Sequence, residues 1–182
     1  PLCPASELRP RVHRHRPLLA VCLGMQLLAE ASEESPGVAG LGLVAGTIRR
    51  FPGPDRVPQM GWNQVQPVNT NEQPRPPRPI AEAPAPDATL LRPAHMYFAN
   101  SFRLETIPCT WVGAVAHYCG PFVAAIERGP ILACQFHPEL SGDAGAALLR
   151  RWLDRAIPTP PAHTDSSLAV PASGAETEAT RC

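Results

Sequence analysis

The clearest pattern of apolar and polar positions begins at residue 17. Residues 17–21, PLLAV, form a short apolar run that is typical of a buried strand. The stretch that follows, CLGMQLLAEASEE, has helical spacing at Leu23, Gln26, Leu27 and Glu30. The pattern therefore predicts a strand that turns sharply into a helix at Cys22.

Further along, short apolar segments separated by glycine and proline predict a series of strands. The segment GLGLVAGTIRRF predicts a glycine-bounded strand pair, and HMYFANSFRL and TWVGAVAHYCGPFVAAIERGPILACQFHPE predict further short strands. The segment SGDAGAALLRRWLDRAI has one apolar side, which predicts a helix capped by Ser141. Strands mixed with helices indicate α/β architecture.

The two ends of the chain lack this patterning. Residues 1–16 have neither helical nor strand periodicity in their apolar positions. We expect them to form a disordered lead, or one foreign to the rest of the chain, rather than a basic binding arm. Residues 158–182 are of low complexity, and we expect a disordered tail. The predicted domain is therefore residues 17–157. Within it, the proline-rich residues 52–93 are expected to form a loop or a polyproline segment rather than a linker between domains.

Composition limits the classes of partner and chemistry. The formal net charge is zero, which gives no reason to expect nucleic acid or an acidic membrane as a partner. All 16 basic residues are arginine, so lysine-based mechanisms are excluded. The six cysteines form no C-x-x-C pair, and no apolar run approaches the roughly 18 residues of a membrane span. We predict a soluble, reduced, cytoplasmic protein without a metal or cofactor.

A cysteine at a strand-to-helix corner has the surroundings of a nucleophile. The N–H groups at the start of a helix lower the pKa of a thiol. The N–H of Leu23 would face the oxyanion formed on an attacked carbonyl, and Ala20 and Gly24 are small enough for a tight turn. A buried structural cysteine is an equally good interpretation of Cys22 from this pattern alone.

A histidine that could serve as the base for this thiol lies in the segment CQFHPEL. His137 ends an apolar strand, and Glu139 follows two residues later. Because Pro138 favours an extended backbone, both side chains can lie on one face of the strand. Glu139 could then accept a hydrogen bond from one ring nitrogen and leave the other facing the thiol. Taken alone, the segment is more simply a strand end with a polar turn.

Together, AVCLGMQLL and FHPELS resemble the class I glutamine amidotransferase family. The segments SEE, GLGLVAGTIRRF, VPQMGWNQV, YFANSFR and GPFVAAIERGPILACQFHPELS are similar to the glutaminase subunits of imidazole glycerol phosphate synthase, an enzyme of histidine biosynthesis. The similarity covers residues 17–154, and M-G-W-N is its most specific element. It implies a flavodoxin-like α/β sandwich of three layers.

The resemblance also implies a reaction and its residues. Cys22 would attack the side-chain amide of glutamine, giving a thioester and ammonia, while His137 moves the proton and Glu139 orients His137. The implied substrate-binding residues are Leu23, Gly24, Gln26, Glu34, Asn100, Ser101 and Phe102.

The resemblance further implies a partner that consumes the ammonia. That partner is a cyclase subunit with a (β/α)8 barrel, which makes imidazole glycerol phosphate and an aminoimidazole carboxamide ribotide. Met60, Trp62 and Asn63 would lie at the contact with the cyclase. The alternative for these three residues is an exposed turn with one buried tryptophan.

The sequence departs from the family pattern most strongly before Cys22. That segment is shorter than in the family and lacks the P-G-V-G type loop that supplies a second oxyanion donor. The chain begins at Pro1, and we expect a fragment or an altered form whose first strands are missing, poorly stable and weakly active on its own. Ala20, Leu140 and Asn100 also replace residues usual at their positions.

Three other functions stay open on the sequence. The chain could be a catalytically impaired module that only binds the cyclase, or a glutaminase of another pathway, such as pyridoxal phosphate synthesis. A cysteine peptidase is chemically feasible, but no motif supports it.

Overall fold

The computed structural model describes residues 5–14, 16–53, 56–68 and 89–157. The α-helices are α1 (Ala5–His13), α2 (Leu23–Leu27) and α3 (Gly142–Ala156), and a 3₁₀ helix spans Pro138–Leu140. The strands are β1 (Leu18–Val21), β2 (Ala31–Ser32), β3 (Thr47–Arg50), β4 (Gln59–Pro67), β5 (Ala94–Asn100), β6 (Phe102–Arg103), β7 (Val112–His117), β8 (Pro121–Arg128) and β9 (Ile131–Cys134).

Six of these strands form one mixed sheet in the order β1-β9-β8-β7-β4-β5. Strand β1 pairs with β9 in parallel, with Val21 opposite Cys134, whereas the remaining neighbours in this sheet are antiparallel. Strands β2, β3 and β6 form a second sheet. Since parallel strands end at the same edge of a sheet, Cys22 after β1 and His137 after β9 are brought to one edge.

The helices cover both faces of the larger sheet. Leu132 of β9 packs in a core that includes Leu148 of α3. The next residue, Ala133, points to the opposite face and packs in a second core with Val12 of α1 and Met25 of α2. The layers are therefore helix, sheet and helix, which confirms the predicted α/β class.

The first residues of the chain differ from the prediction. Residues 5–13 form α1 rather than a disordered lead, so the prediction for 1–16 is wrong there. Val12 is buried in the second core, and a helix this short draws its stability from such packing rather than from its own pattern. The predicted tail, residues 158–182, lies outside the described residues, as do residues 69–88 of the proline-rich segment. Gln59–Pro67 of that segment forms β4, so the predicted loop is wrong there.

The segment GLGLVAGTIRRF forms one strand, β3, instead of the predicted strand pair. Its first half donates backbone N–H groups to the last residue of α2 and to the residues just after it: Leu41 to the carbonyl of Leu27 at 2.9 Å, and Gly42 to that of Ala29 at 3.0 Å. The last carbonyls of a helix lack partners within it, so this segment satisfies them. Helix α2 is therefore five residues long, shorter than its sequence spacing predicted.

Candidate active site

Cys22 occupies the corner between β1 and α2 in a backbone conformation that residues other than glycine seldom adopt. Its φ is 51° and its ψ is −109°, and strain of this kind costs on the order of 1–3 kcal/mol. The Cys22 N–H donates to the carbonyl of Cys134 at 2.8 Å, which holds the corner against β9. A Cβ added to Gly24 would lie 3.7 Å from that of Ala20, so the methyl group of Ala20 fits beside the turn.

The surroundings of the Cys22 thiol raise its pKa overall. Burial raises the pKa of the thiol, and this effect outweighs the hydrogen bonds from the N–H of Leu23 and the side chain of Gln135, which lower the pKa. The negative charges of Glu139 and Glu34 raise it further. The N–H of Leu23 at the start of α2 acts in the expected direction, but the pKa of the thiol is raised overall rather than lowered, because burial of the sulfur has the larger effect.

His137 and Glu139 form a hydrogen-bonded pair at the end of β9. The His137 Nδ1 lies 2.8 Å from the Glu139 Oε1, which leaves Nε2 for proton transfer. Burial acts to raise the pKa of Glu139. The hydrogen bonds from His137 and from its own backbone N–H, with the charge of His137, lower that pKa overall. The carboxylate therefore remains ionised and keeps the imidazole oriented.

Ser141 fixes the backbone of His137. Its Oγ donates to the His137 carbonyl at 2.6 Å and accepts from the N–H of Tyr97 at 2.9 Å. The N–H of His137 in turn donates to the Tyr97 carbonyl at 2.9 Å. Ser141 occupies the N-cap position of α3, as predicted, but its side chain makes no capping bond to the helix. The hydroxyl ties β5 to the His137 turn instead.

Beside Cys22, a cleft is lined by predicted substrate-binding residues of α2 and of the segment after it. Gln26 and Glu34 both line it, together with Leu23, which is largely exposed. Gly24 lies within α2 on the same corner.

The predicted residues near position 100 meet Gln26 from β5 and β6. The carbonyl of Phe102 accepts from Gln26 Nε2 at 3.2 Å and from Asn100 Nδ2 at 2.9 Å. The carbonyl of Ser101 accepts from the N–H of Phe51 at 3.0 Å. The structure thus joins Asn100 and Phe102 to Gln26, whereas the Ser101 backbone pairs with Phe51.

Gln135 belongs to this site, although the sequence analysis did not single it out. It is buried, its Oε1 accepts from Gln26 Nε2 at 2.9 Å, and its Nε2 lies 3.6 Å from the Cys22 Sγ. A signal for it exists in the sequence: Gln135 is a polar residue at the end of an apolar strand, two positions before His137. Buried amides require hydrogen-bond partners, and this one finds them in the site.

The predicted interface residues lie on two different faces of β4. Met60 and Trp62 are 66% and 58% exposed on one face, which we call the Met60–Trp62 surface. Asn63 lies on the other face and donates to the His117 carbonyl at 2.8 Å, so it is not part of that surface. The alternative of a buried tryptophan is wrong for Trp62. Its ring contacts that of Tyr97 edge to face at 6.1 Å, next to the backbone that holds His137.

The part of the chain that the structure describes contains no group of three or more His, Cys, Asp or Glu side chains arranged to hold a metal ion. Nor does any of its helices combine the length and apolar character required to cross a membrane.

Comparison with known proteins assigns the family. The sequence profile of the family "Glutamine amidotransferase class-I" matches residues 4–156. The chain belongs to this family. The match includes α1, so these residues are not foreign to the family as the sequence analysis had allowed.

Two of the relatives within this family that resemble the chain carry the same name. Imidazole glycerol phosphate synthase subunit HisH of Deinococcus radiodurans is 45% identical over 139 residues, covering 75% of this chain and 58% of that protein. The protein of the same name from Thermus thermophilus is 43% identical over 152 residues, covering 82% and 67%. The chain thus spans roughly three-fifths to two-thirds of the length of these relatives.

A solved structure supports the fold. The crystal structure of a glutamine amidotransferase superposes with a TM-score of 0.56 at 20% identity, covering 84% of this chain and 67% of the other. At this level of identity the likeness concerns the fold alone, and it agrees with the α/β architecture described above.

Proposed function

We propose that this chain is the glutaminase subunit of an imidazole glycerol phosphate synthase, which hydrolyses glutamine and passes the ammonia to a cyclase subunit. The observation that carries the proposal is the strained Cys22 at the end of β1, beside the parallel strand β9 that leads to the His137–Glu139 pair. The HisH names of the two relatives support the assignment to this enzyme. A cytoplasmic location remains a prediction.

The proposed reaction has two stages. In the first, the thiol proton of Cys22 moves to the Nε2 of His137, and the sulfur bonds to the carboxamide carbon of glutamine. The N–H of Leu23 stabilises the oxyanion. His137 returns the proton to the leaving nitrogen, the C–N bond breaks, and ammonia departs. In the second stage, His137 takes a proton from water, whose oxygen attacks the thioester to release glutamate and the Cys22 thiol.

The cleft beside Cys22 suits the substrate chemically. The carboxylate of Glu34, on its wall, would attract the α-ammonium group of glutamine, and Gln26 offers an amide for hydrogen bonding. Asn100, Ser101 and Phe102 would complete the binding site from the β5–β6 side.

The proposed partner is a cyclase subunit with a (β/α)8 barrel. We assign the Met60–Trp62 surface to it, because these two large apolar side chains are exposed on the same face of β4 and contiguous exposed apolar patches are characteristic of contact sites. Asn63 is left out of this assignment, since its side chain is bonded to the backbone at His117.

The test is glutamate release from glutamine by the chain mixed with a cyclase subunit and the nucleotide ligand of the cyclase. The Cys22→Ala variant is the blank, and Cys109→Ala, at an exposed free cysteine, is the matched control. We expect release by the unaltered chain and by Cys109→Ala, and none above background by Cys22→Ala.

Other outcomes point to the alternatives. If the folded chain binds the cyclase without releasing glutamate, it is a binding module rather than a glutaminase. Release that the cyclase does not increase would indicate a glutaminase of a different amidotransferase pathway.

A further inference from the structure

The buried side chain of Gln135 lies between the nucleophile and the proposed substrate-binding residue Gln26. Its backbone is fixed by an N–H bond to the Ala124 carbonyl at 2.8 Å. Its Oε1 faces Gln26 and its Nε2 faces the sulfur of Cys22. At 1% exposure, the amide is shielded from competing water.

The direction of this hydrogen-bond chain is set at its far end. The Phe102 carbonyl can only accept, and it faces the NH₂ group of Gln26 at 3.2 Å. The same NH₂ group lies 2.9 Å from Gln135, so Gln135 must present its oxygen there. Its own NH₂ group is then turned towards Cys22. A reversed Gln135 would put two NH₂ groups face to face and an oxygen lone pair against a thiolate.

We propose that Gln135 is a hydrogen-bond donor to the Cys22 thiolate and links the ionisation of that thiol to the substrate-binding side chain Gln26. When Cys22 gives its proton to His137, the negative sulfur gains an N–H partner that is already in place. The catalytic meaning of this bond rests on the proposed glutaminase function.

Most of the other groups around the sulfur disfavour its negative charge, and the Ala99 carbonyl, 3.9 Å from the Cys22 Sγ, can accept a hydrogen bond from the thiol but cannot donate one to the thiolate. Burial disfavours the thiolate, and the carboxylates of Glu34 and Glu139 disfavour it further. The Leu23 N–H and the Gln135 amide act in the opposite direction. In the proposed reaction His137, at the same edge of the sheet, accepts the proton, and burial raises the pKa of the neighbouring Cys134 so that its thiol remains protonated.

The first test measures the reactivity of Cys22 without glutamine or cyclase, so its outcome does not depend on the proposed function. The chain and its Gln135→Met and Gln135→Glu variants are alkylated with iodoacetamide over a range of pH. The modified Cys22 peptide is quantified by mass spectrometry, with the exposed Cys109 as the reference in each sample.

For Gln135→Met, we expect the pH midpoint of Cys22 alkylation to rise by about one unit, with roughly tenfold slower alkylation below the midpoint. For Gln135→Glu, we expect a larger rise, because a carboxylate replaces the donor. Alkylation of Cys109 should not change. Midpoints equal to that of the unaltered chain, in folded variants, would overturn the proposal.

The second test needs no substitution at Gln135 and therefore stands even if those variants fail to fold. The side-chain ¹⁵N resonance of Gln135 is followed by NMR as the pH is raised in the unaltered chain and in Cys22→Ala. We expect a titration step in the first and its loss in the second. A Gln135 chemical shift that does not change as Cys22 ionises would rule out the hydrogen bond.

Discussion

The hydroxyl of Ser141 lies 2.6 Å from the carbonyl oxygen of His137, and it also accepts the N–H of Tyr97 at 2.9 Å. One side chain thus joins the proposed proton carrier to the neighbouring strand β5. A serine expected only to begin a helix therefore holds the backbone of the active site.

Replacing Ser141 with alanine should destabilise the fold and loosen the site. The change leaves the Tyr97 N–H without its acceptor, and such a loss costs about 1–3 kcal/mol in the free energy of unfolding. Urea unfolding measures that cost, and glutamate release measures the effect on activity. Thr106→Ala, which removes an exposed hydroxyl, is the control. A stability equal to that of the control would contradict the role assigned to Ser141.

Replacing Glu139 with glutamine should lower turnover far more than it lowers stability. The amide can place an NH₂ group against the His137 Nδ1, which favours the wrong tautomer for accepting the thiol proton. We expect a fall in kcat within the roughly 10²–10⁴-fold range associated with positioned proton transfer. Asp154→Asn, at an exposed position of α3, is the control, and full activity of Glu139→Gln would remove Glu139 from the mechanism.

The lowered pKa of Glu139 has a consequence for pH dependence. A carboxyl group with a lowered pKa in the folded state adds stability above its unfolded pKa, and this contribution is lost as the pH falls through the folded pKa. The carboxylate ¹³C resonance of Glu139 should therefore titrate below about 4.3, the usual value for glutamate. A midpoint at or above that value would show that the His137 pair does not hold the charge.

The raised pKa of Cys22 predicts the opposite dependence. Burial is its largest cause, so the folded state favours the neutral thiol. The resulting stability is present below the unfolded pKa, about 8.5, and is lost as the pH rises through the folded pKa. Alkylation of Cys22 should consequently have a higher pH midpoint in the folded chain than in the chain unfolded in urea. Equal midpoints would mean that burial does not control this thiol.

A substitution on the Met60–Trp62 surface should change the affinity for the cyclase without changing the reactivity of Cys22. Trp62→Ala should weaken cyclase binding by at least about fivefold, because a large aromatic side chain at an interface commonly contributes more than 1 kcal/mol. The alkylation rate of Cys22 in the isolated chain should stay the same. Gln64→Ala, which truncates a neighbouring exposed side chain on β4, is the control for the binding measurement. Unchanged affinity for Trp62→Ala would place the cyclase elsewhere.

Features confined to a few neighbouring residues could be predicted from the sequence. The corner at Cys22, the two-residue spacing of His137 and Glu139 and the strands from β5 to β9 depend on local backbone geometry, which residue types and their period largely determine. The resemblance added the reaction to these elements. The predicted helix that begins at Leu23 was too long, because its end is fixed by bonds from residues 40–44 rather than by its own pattern.

Only the tertiary structure decided which distant residues meet and how deeply they are buried. Parallel pairing of β1 with β9 brings Gln135 to the sulfur of Cys22, and the same packing raises the thiol pKa that the local pattern predicted to fall. Tertiary packing also buries Val12 and places the Asn63 side chain against the His117 carbonyl. The physical reason is that residue spacing fixes geometry within one element, whereas burial and hydrogen bonds between elements depend on the order in which the strands assemble.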